Sequence, residues 1–335
     1  MNYALYRLPY SDYYTEIRSE RKPLIISSFE EIGEEEGFII APFVNSPDKS
    51  PIVLICPDNV KRIPIDTIKV IDRSERIVDA NITASYEEDF KKFHDAAQSG
   101  EFQKLVLSRS KKNENTTSGY LAAFTDACHS YPRLMVMLVS TEETGTWLVA
   151  SPERLLSGDG NYWRTMALAG TMPYIEGFQD WSSKNQREQQ YVDKYIDECV
   201  SRYSEEIIKD GPHTKRAGNL VHLCTDFRFR LNRGVNIGEV LSALHPTPAV
   251  CGIPKEKALD FILTNEHNDR LYYTGFMGPV GISNETHLYV SLRCAKLDAT
   301  SSTLYSGGGI MPESDLNSEW EETEKKMQTI ENVLR

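Results

Sequence analysis

The stretch YYTGFMGPVGISNETHLYVSLRCAKLDATSSTLYSGGGI, residues 272–310, sets three apolar runs one after another with only short turns between them. The runs YYTGFMGPVGI, THLYVSLRCAKLD and STLYSGGGI are rich in aromatic and β-branched residues and carry turn formers at their joints, the pattern of strands. Parallel neighbours would need crossovers of a dozen residues or more, which these joints lack. Antiparallel pairing follows. With helices found elsewhere, it predicts a layered α/β (α+β) fold rather than a βαβ winding.

The chain then runs into SEWEETEKK (318–326), which holds four glutamates within six residues. Around it Leu316, Trp320, Thr323, Met327, Ile330 and Leu334 step by fours and threes, one buried stripe of a helix. At about 100° per residue, Glu321 and Lys325 fall opposite that stripe, where solvent accounts for them. Glu319, Glu322 and Lys326 fall on its flank, along the seam between helix and protein body. A carboxylate at a seam needs a partner, because an unpaired buried charge is costly. Neighbouring basic groups or a metal ion would each serve.

Upstream, the first 85 residues read as short strands: KPLIISS (22–28), EGFIIAPF (36–43), SPIVLICP (50–57) and TIKVI (67–71). A helix carries YEEDFKKFHDAAQSG and ends at Gly100. Strands follow at FQKLVLSRS (102–110), LMVMLVS (134–140) and TWLVASP (146–152). A long helix is expected from about Ser183 to Lys209, then a strand in AGNLVHLCTDFRFRL (217–231) and a helix on NIGEVLSAL (236–244). No internal repeat or low-complexity linker divides the chain.

The 335 residues contain ample apolar content for a sizeable core. No apolar run reaches the length of a membrane span, and the N-terminal residues lack the basic and apolar regions of a signal peptide. Six scattered cysteines without a C-x-x-C pair point to reduced thiols and a cytoplasmic protein. A net charge of −12 without a basic stripe argues against nucleic acid as a partner. It also means that an anionic ligand must be met by local positive charge, from a metal or a few well-placed Arg and Lys. Nothing demands a partner subunit, so a monomer is expected.

Several residues could carry chemistry. Val192, Tyr195, Ile196, Cys199, Tyr203 and Ile207 form the stripe of the long helix, and Glu188, one turn before Val192, shares its inward face. It either complements the helix dipole behind a cap at Ser182 or Ser183, or offers a hard oxygen ligand of the kind Mg²⁺ takes. Lys104 shares a strand face with Phe102, Val106 and Ser108. It is either a snorkelling lysine or a buried amine usable as a base. Glu153, in LVASPERLL, is either a surface partner of Arg154 or a carboxylic acid kept protonated in an apolar pocket. The segments 169–171 and 307–309 are backbone-donor candidates for anions. His222, within an apolar strand, reads alone as a satisfied core histidine.

Taken in order, KLVLSR, ASPERLL, ALAGT, NLVHL, LHPTPAVCGIP, YYTGFMG, SLRCA, GGGI and SEWEETEKK resemble the chorismate-utilising enzymes, the family of isochorismate, salicylate, anthranilate and aminodeoxychorismate synthases. The resemblance covers about residues 90–335. It implies one large domain over 1–335, with two antiparallel sheets packed together and helices outside, residues 1–85 being its variable part. Glu188 and Glu322 match the glutamates that hold a catalytic Mg²⁺, with Glu319 in support. Asn185 and Gln189 depart from the glutamate and histidine the family often has there, and so bear on how the metal is coordinated. Tyr273, Arg293, Gly307, Gly309 and Lys326 match positions that grip the carboxylates of chorismate, and Gly170 and Thr171 belong to the substrate-binding set.

Single residues mark the branch of the family. Lys104 stands where anthranilate synthases carry glutamine, and Ala169 where aminodeoxychorismate synthases carry a nucleophilic lysine. The resemblance therefore implies water as nucleophile, activated by Lys104, with Glu153 protonating the departing hydroxyl and His222 orienting through the ring oxygens or Glu153. Ala249 stands where salicylate synthases tend to carry threonine. The expected reaction stops at isochorismate and feeds menaquinone or a siderophore, menaquinone being preferred.

Overall fold

The computed structural model describes residues 1–33, 35–65, 81–114, 119–177 and 180–334. Two nine-stranded sheets, antiparallel at every pairing, stack face to face among these residues. From edge to edge the first is built of Gly252–Ile253, Lys104–Glu114, Ser301–Ile310, Cys294–Leu297, Gly145–Ser151, Met135–Thr141, Asn2–Arg7, Tyr13–Ser19 and Asn59–Pro64. The second is built of Ser204–Ala217, Leu220–Leu231, Trp163–Pro173, Arg154–Gly158, Thr286–Val290, Phe276–Val280, Gly37–Ala41, Ile52–Ile55 and Leu24–Ile26.

Strand alternation builds the layers. Met135, Met137 and Val139 face the second sheet and meet Phe38, Ile40 and Met277, while Val136 and Leu138 point the other way into helices. Helices α1 (Ala84–Gln98), α2 (Tyr120–Ser130), α5 (Lys255–Asn265) and α6 (Leu316–Glu331) pack against the first sheet. Helices α3 (Ser183–Tyr203) and α4 (Ile237–Leu244) cover the second. Both faces of both sheets are thus largely buried, which is why many strands read as continuous apolar runs rather than as clean alternations.

The antiparallel α+β architecture expected from residues 272–310 is present, with three differences. The long helix stops at Tyr203, and Ser204–Ala217 is a strand paired along Leu220–Leu231, so Ile207 is not on the helical stripe. Pro212 would break a continuing helix and Ile207–Ile208 favour extension. The Ser204 hydroxyl closes the helix on the Val200 carbonyl at 2.6 Å. The run THLYVSLRCAKLD is two strands in different sheets, Thr286–Val290 and Cys294–Leu297, because the chain crosses between layers at Ser291–Arg293. Finally, strands Asn2–Arg7, Tyr13–Ser19, Asn59–Pro64, Arg154–Gly158, Trp163–Pro173 and Gly252–Ile253 and helices α2 and α5 went unread in the sequence, and TIKVI lies outside the described residues.

Candidate active site

The chain passes from one sheet to the other at two adjoining places, and each sets a key side chain between the layers. Strand Gly145–Ser151 belongs to the first sheet and Arg154–Gly158 to the second, with Glu153 at the passage. The second passage carries Arg293. The two are tied together: Ala150 N–H donates to the Arg293 carbonyl and Val290 N–H to the Glu153 carbonyl, each at 3.0 Å. Arg293 has φ +44°, a left-handed conformation that costs a non-glycine residue about 1–2 kcal/mol and that this bracing holds in place.

Glu153 is buried, and the only side-chain hydrogen bond it receives among the described residues comes from Thr247 Oγ1 at 3.4 Å. Burial pushes its carboxyl up to about 7, against the lowering pull of Lys104 and Arg293. Arg154, its neighbour in sequence, turns instead to Asp226 at 3.7 Å, so the surface ion pair considered for Glu153 does not form. His222 is also buried. Its Nδ1 lies 3.0 Å from the Gly170 carbonyl, which can only accept, so Nδ1 carries the proton and Nε2 accepts from Arg293 Nη2 at 2.8 Å. Burial, and then the Arg293 charge, hold this imidazole well below its usual range, in the neutral form. Of the two partners expected for His222, Glu153 is not bonded to it; its ring instead meets Arg293.

Lys104 is fully buried on the strand face with Val106 and Ser108. Its Nζ lies 2.9 Å from Glu188 Oε1 and meets no other acceptor among the described residues. It therefore retains N–H groups free for a water or a ligand oxygen. Glu188 reaches it from α3, whose first turn is capped by Ser182 accepting from Asn185 N–H. Burial alone would raise the Glu188 carboxyl, but the charges of Lys104, Lys184 and Lys326 outweigh it and hold it below the ordinary value.

Glycines 307–309 explain how two helices bring carboxylates against one strand. A Cβ on Gly309 would sit 2.7 Å from Glu188 Oε1 and 2.8 Å from Lys104 Cε. One on Gly308 would sit 2.8 Å from Glu319 Oε2, and one on Gly307 3.0 Å from Tyr273 Oη. Lys326 donates to the Gly307 carbonyl at 2.9 Å and pairs with Glu322, one turn earlier on α6, at 2.7 Å. Glu319 is buried, receives the Ser314 hydroxyl at 2.8 Å and pairs with Lys184. Burial, and then the Glu322 charge, raise its carboxyl.

Each of the three glutamates thus holds a lysine, and their oxygens are not all gathered within 4.8 Å of one another. The donor set is nevertheless hard oxygen, and the repulsion between Glu319 and Glu322 is of the kind a divalent cation relieves. Mg²⁺ fits these residues chemically.

Between these groups lies a partly open cavity whose lining includes Glu153, Glu188, His222, Tyr273, Arg293 and Lys326. Ala249, Thr171, Gly307 and Gly309 also line it, with Gly170 (φ +71°) at a bulge that packs on Asn185. Lys104 flanks this lining through Glu188 and Gly309, whereas Glu319 and Glu322 stand at its edge on α6. Sequence reasoning missed Lys184 and Thr247. Lys184 lies one turn before Glu188 on the same face, a signal that was available; Thr247 lies within the quoted HPTPAV.

Residues 66–335 match the family described as chorismate binding enzyme. A Mycobacterium tuberculosis protein provisionally named isochorismate synthase MenF is 33% identical over 245 residues, 69% of this chain and 62% of that one. The vibriobactin-specific isochorismate synthase of Vibrio cholerae is 33% identical over 202 residues, 57% of this chain and 51% of the relative. The matched chain therefore spans less than two thirds of the length of these relatives. In three dimensions it is similar to MenF, the menaquinone-specific isochorismate synthase of Escherichia coli, with a TM-score of 0.80 at 20% identity, covering 100% of this chain and 89% of that one.

Proposed function

Because the chain belongs to the chorismate binding enzymes, we propose that it is an isochorismate synthase, isomerising chorismate by attack of water at C2 and loss of the C4 hydroxyl. One observation carries this reading: a buried carboxyl raised to about 7, Glu153, shares the neighbourhood of a buried lysine with spare N–H groups, Lys104. An acid in the cavity wall and an amine immediately behind that wall, next to Glu188 and Gly309, are thus brought together.

Lys104, in its neutral form, takes a proton from the attacking water and becomes the ammonium that pairs with Glu188, and Glu153, protonated in part at neutral pH, gives a proton to the departing hydroxyl. Arg293, held by His222 Nε2, pairs with a substrate carboxylate, as do Tyr273, Lys326 and the backbone around Gly307–Gly309. These groups fix the ring so that water and leaving group are each met by a positioned side chain. Glu188 and Glu322, with Glu319 in support, would hold Mg²⁺, which when bound supplies positive charge for the ring carboxylate.

The nearest alternative, a salicylate synthase, is disfavoured by Ala249 in the cavity wall. Incubating the purified protein with chorismate and Mg²⁺ and separating the products decides between them. Isochorismate alone is expected; salicylate with pyruvate, or no turnover, would refute the assignment. We further place the protein in the cytoplasm as a monomer, its product destined for menaquinone. Growth of a disruption strain restored by a menaquinone precursor, and not by a siderophore, tests that destination.

A further inference from the structure

On a protein of net charge −12, one cleft outside the catalytic cavity is lined by Arg133, Arg154, Arg164, Lys215, Arg216 and His287, with no Asp or Glu in its lining. The cleft encloses about 1120 Å³ of space open to solvent. It lies where the turn Leu8–Tyr10 meets the strand ends of the second sheet. Leu168 faces the catalytic cavity and Met166 faces this cleft, and the two pack with Cys224 as the wall between them.

The cations are poorly compensated. Among the described residues the side chains of Arg133 and Arg164 form no ion pair or hydrogen bond. The acids nearby are already engaged: Asp226 with Arg154 at 3.7 Å and His213 at 3.5 Å, Glu285 with His287 at 3.1 Å, and exposed Asp159, which feels the Arg164 charge, with the Asn161 and Tyr162 N–H groups. Arg216 is held ready, its guanidinium 3.7 Å above the Tyr174 ring and its Nε donating to the Gly218 carbonyl. Burial, and in smaller part the Arg154 and Arg164 charges, depress the His287 imidazole against the raising pull of Glu285. Gathering like charges without acids is unfavourable unless an anion joins them, and guanidinium forks suit phosphate or carboxylate oxygens.

We propose that this cleft is a second ligand site, for a small molecule carrying two or more phosphate or carboxylate groups. The cations come from separate segments of the chain, which favours a ligand with several anionic groups over a single-charge ion. The site is independent of the reaction assigned above.

Calorimetric titration at low ionic strength without divalent metal tests it, with pyrophosphate and citrate as probes. Saturable binding of one equivalent, weakening with salt, is expected for at least one of them, and the tighter probe assigns phosphate or carboxylate chemistry. The double variant Arg133→Ala/Arg164→Ala, both exposed surface changes, should weaken it about tenfold or more. Lys326→Ala, in the catalytic cavity, should leave it unchanged. Failure of both probes to saturate, an unchanged affinity in the double variant, or binding lost with Lys326→Ala would each overturn the proposal.

Discussion

Strand Lys104–Glu114 and helix α6 meet in two ion-pair clusters built from the same residue types. At one end Lys104 pairs with Glu188 while Glu319 and Glu322 of α6 take Lys184 and Lys326. At the other, Arg109 and Lys111 close on Glu324, and Lys111 and Asn113 reach Glu331. The second cluster is sealed: Arg109 lies 3.6 Å above the Trp320 ring, and its Nε donates to Thr323 Oγ1 at 2.7 Å. The first opens on a cavity through three glycines and keeps a lysine with N–H groups to spare. Charge alone does not distinguish a site from a clamp. What distinguishes them is unfinished hydrogen bonding beside empty space.

Replacing the cation at each end should break the comparison in opposite ways. Lys104→Ala should lower kcat by roughly 10²–10⁴, the range of positioned acid–base groups, with the product assay as readout. Arg109→Ala leaves Glu324 buried without its main partner and should cost about 3–5 kcal/mol of stability, measured by denaturant unfolding, while kcat of the folded fraction stays near wild type. Loss of turnover in Arg109→Ala beyond the unfolded fraction would erase the distinction.

The glycines offer a finer cut. Gly309→Ala drives a methyl into Glu188 Oε1 and Lys104 Cε, so both must move. A displacement of about 1 Å in such a pair is worth roughly 10² in rate. Gly308→Ala presses instead on Glu319 alone, and its expected signature is a raised Mg²⁺ requirement with a smaller fall in kcat. Equal effects of the two substitutions would contradict the division of roles between Glu188 and Glu319.

Much of this arrangement was legible in the sequence, for reasons that particular residues make plain. The α6 stripe from Leu316 to Ile330 and the seam position of Glu319, Glu322 and Lys326 follow from helical period alone, because a helix presents its faces locally, whereas Leu334 lies past the helix end at Glu331. Lys104 and Glu153 could be read as two-way choices, burial deciding each, but no local pattern shows that residues 153 and 293 occupy adjoining passages between sheets. That proximity is a property of topology. Resemblance supplied it by grouping motifs that periodicity cannot bring together. The strand Ser204–Ala217 was hidden because its exposed, charged residues carry no alternation, and its partner strand imposes the extended form. Lys184 was overlooked because a lysine in a first helical turn looks like a solvated residue until its partner is known.

The smallest expected effect separates the two clusters by pH. Glu153 is a carboxyl whose folded pKa, about 7, is raised by burial above that of an unfolded chain, about 4.3. Below the lower value it is protonated in both states and folding is indifferent to it. As pH rises between the two, the unfolded chain gives up its proton first, so stability falls through that window and the loss is complete above about 7. The penalty is on the order of 3 kcal/mol. Glu153→Gln, neutral at every pH, removes it: the variant should lack turnover yet melt a few degrees higher than wild type at pH 8, and level with it at pH 4. In wild type, kcat/KM should decline on the alkaline side with an apparent pKa near 7. A substitution that abolishes activity while stabilising the fold is the mark of a group held in an unfavourable charge state for its chemistry. Arg109→Ala cannot show it, and a Glu153→Gln protein that melts lower than wild type at pH 8 would return Glu153 to the class of structural carboxylates.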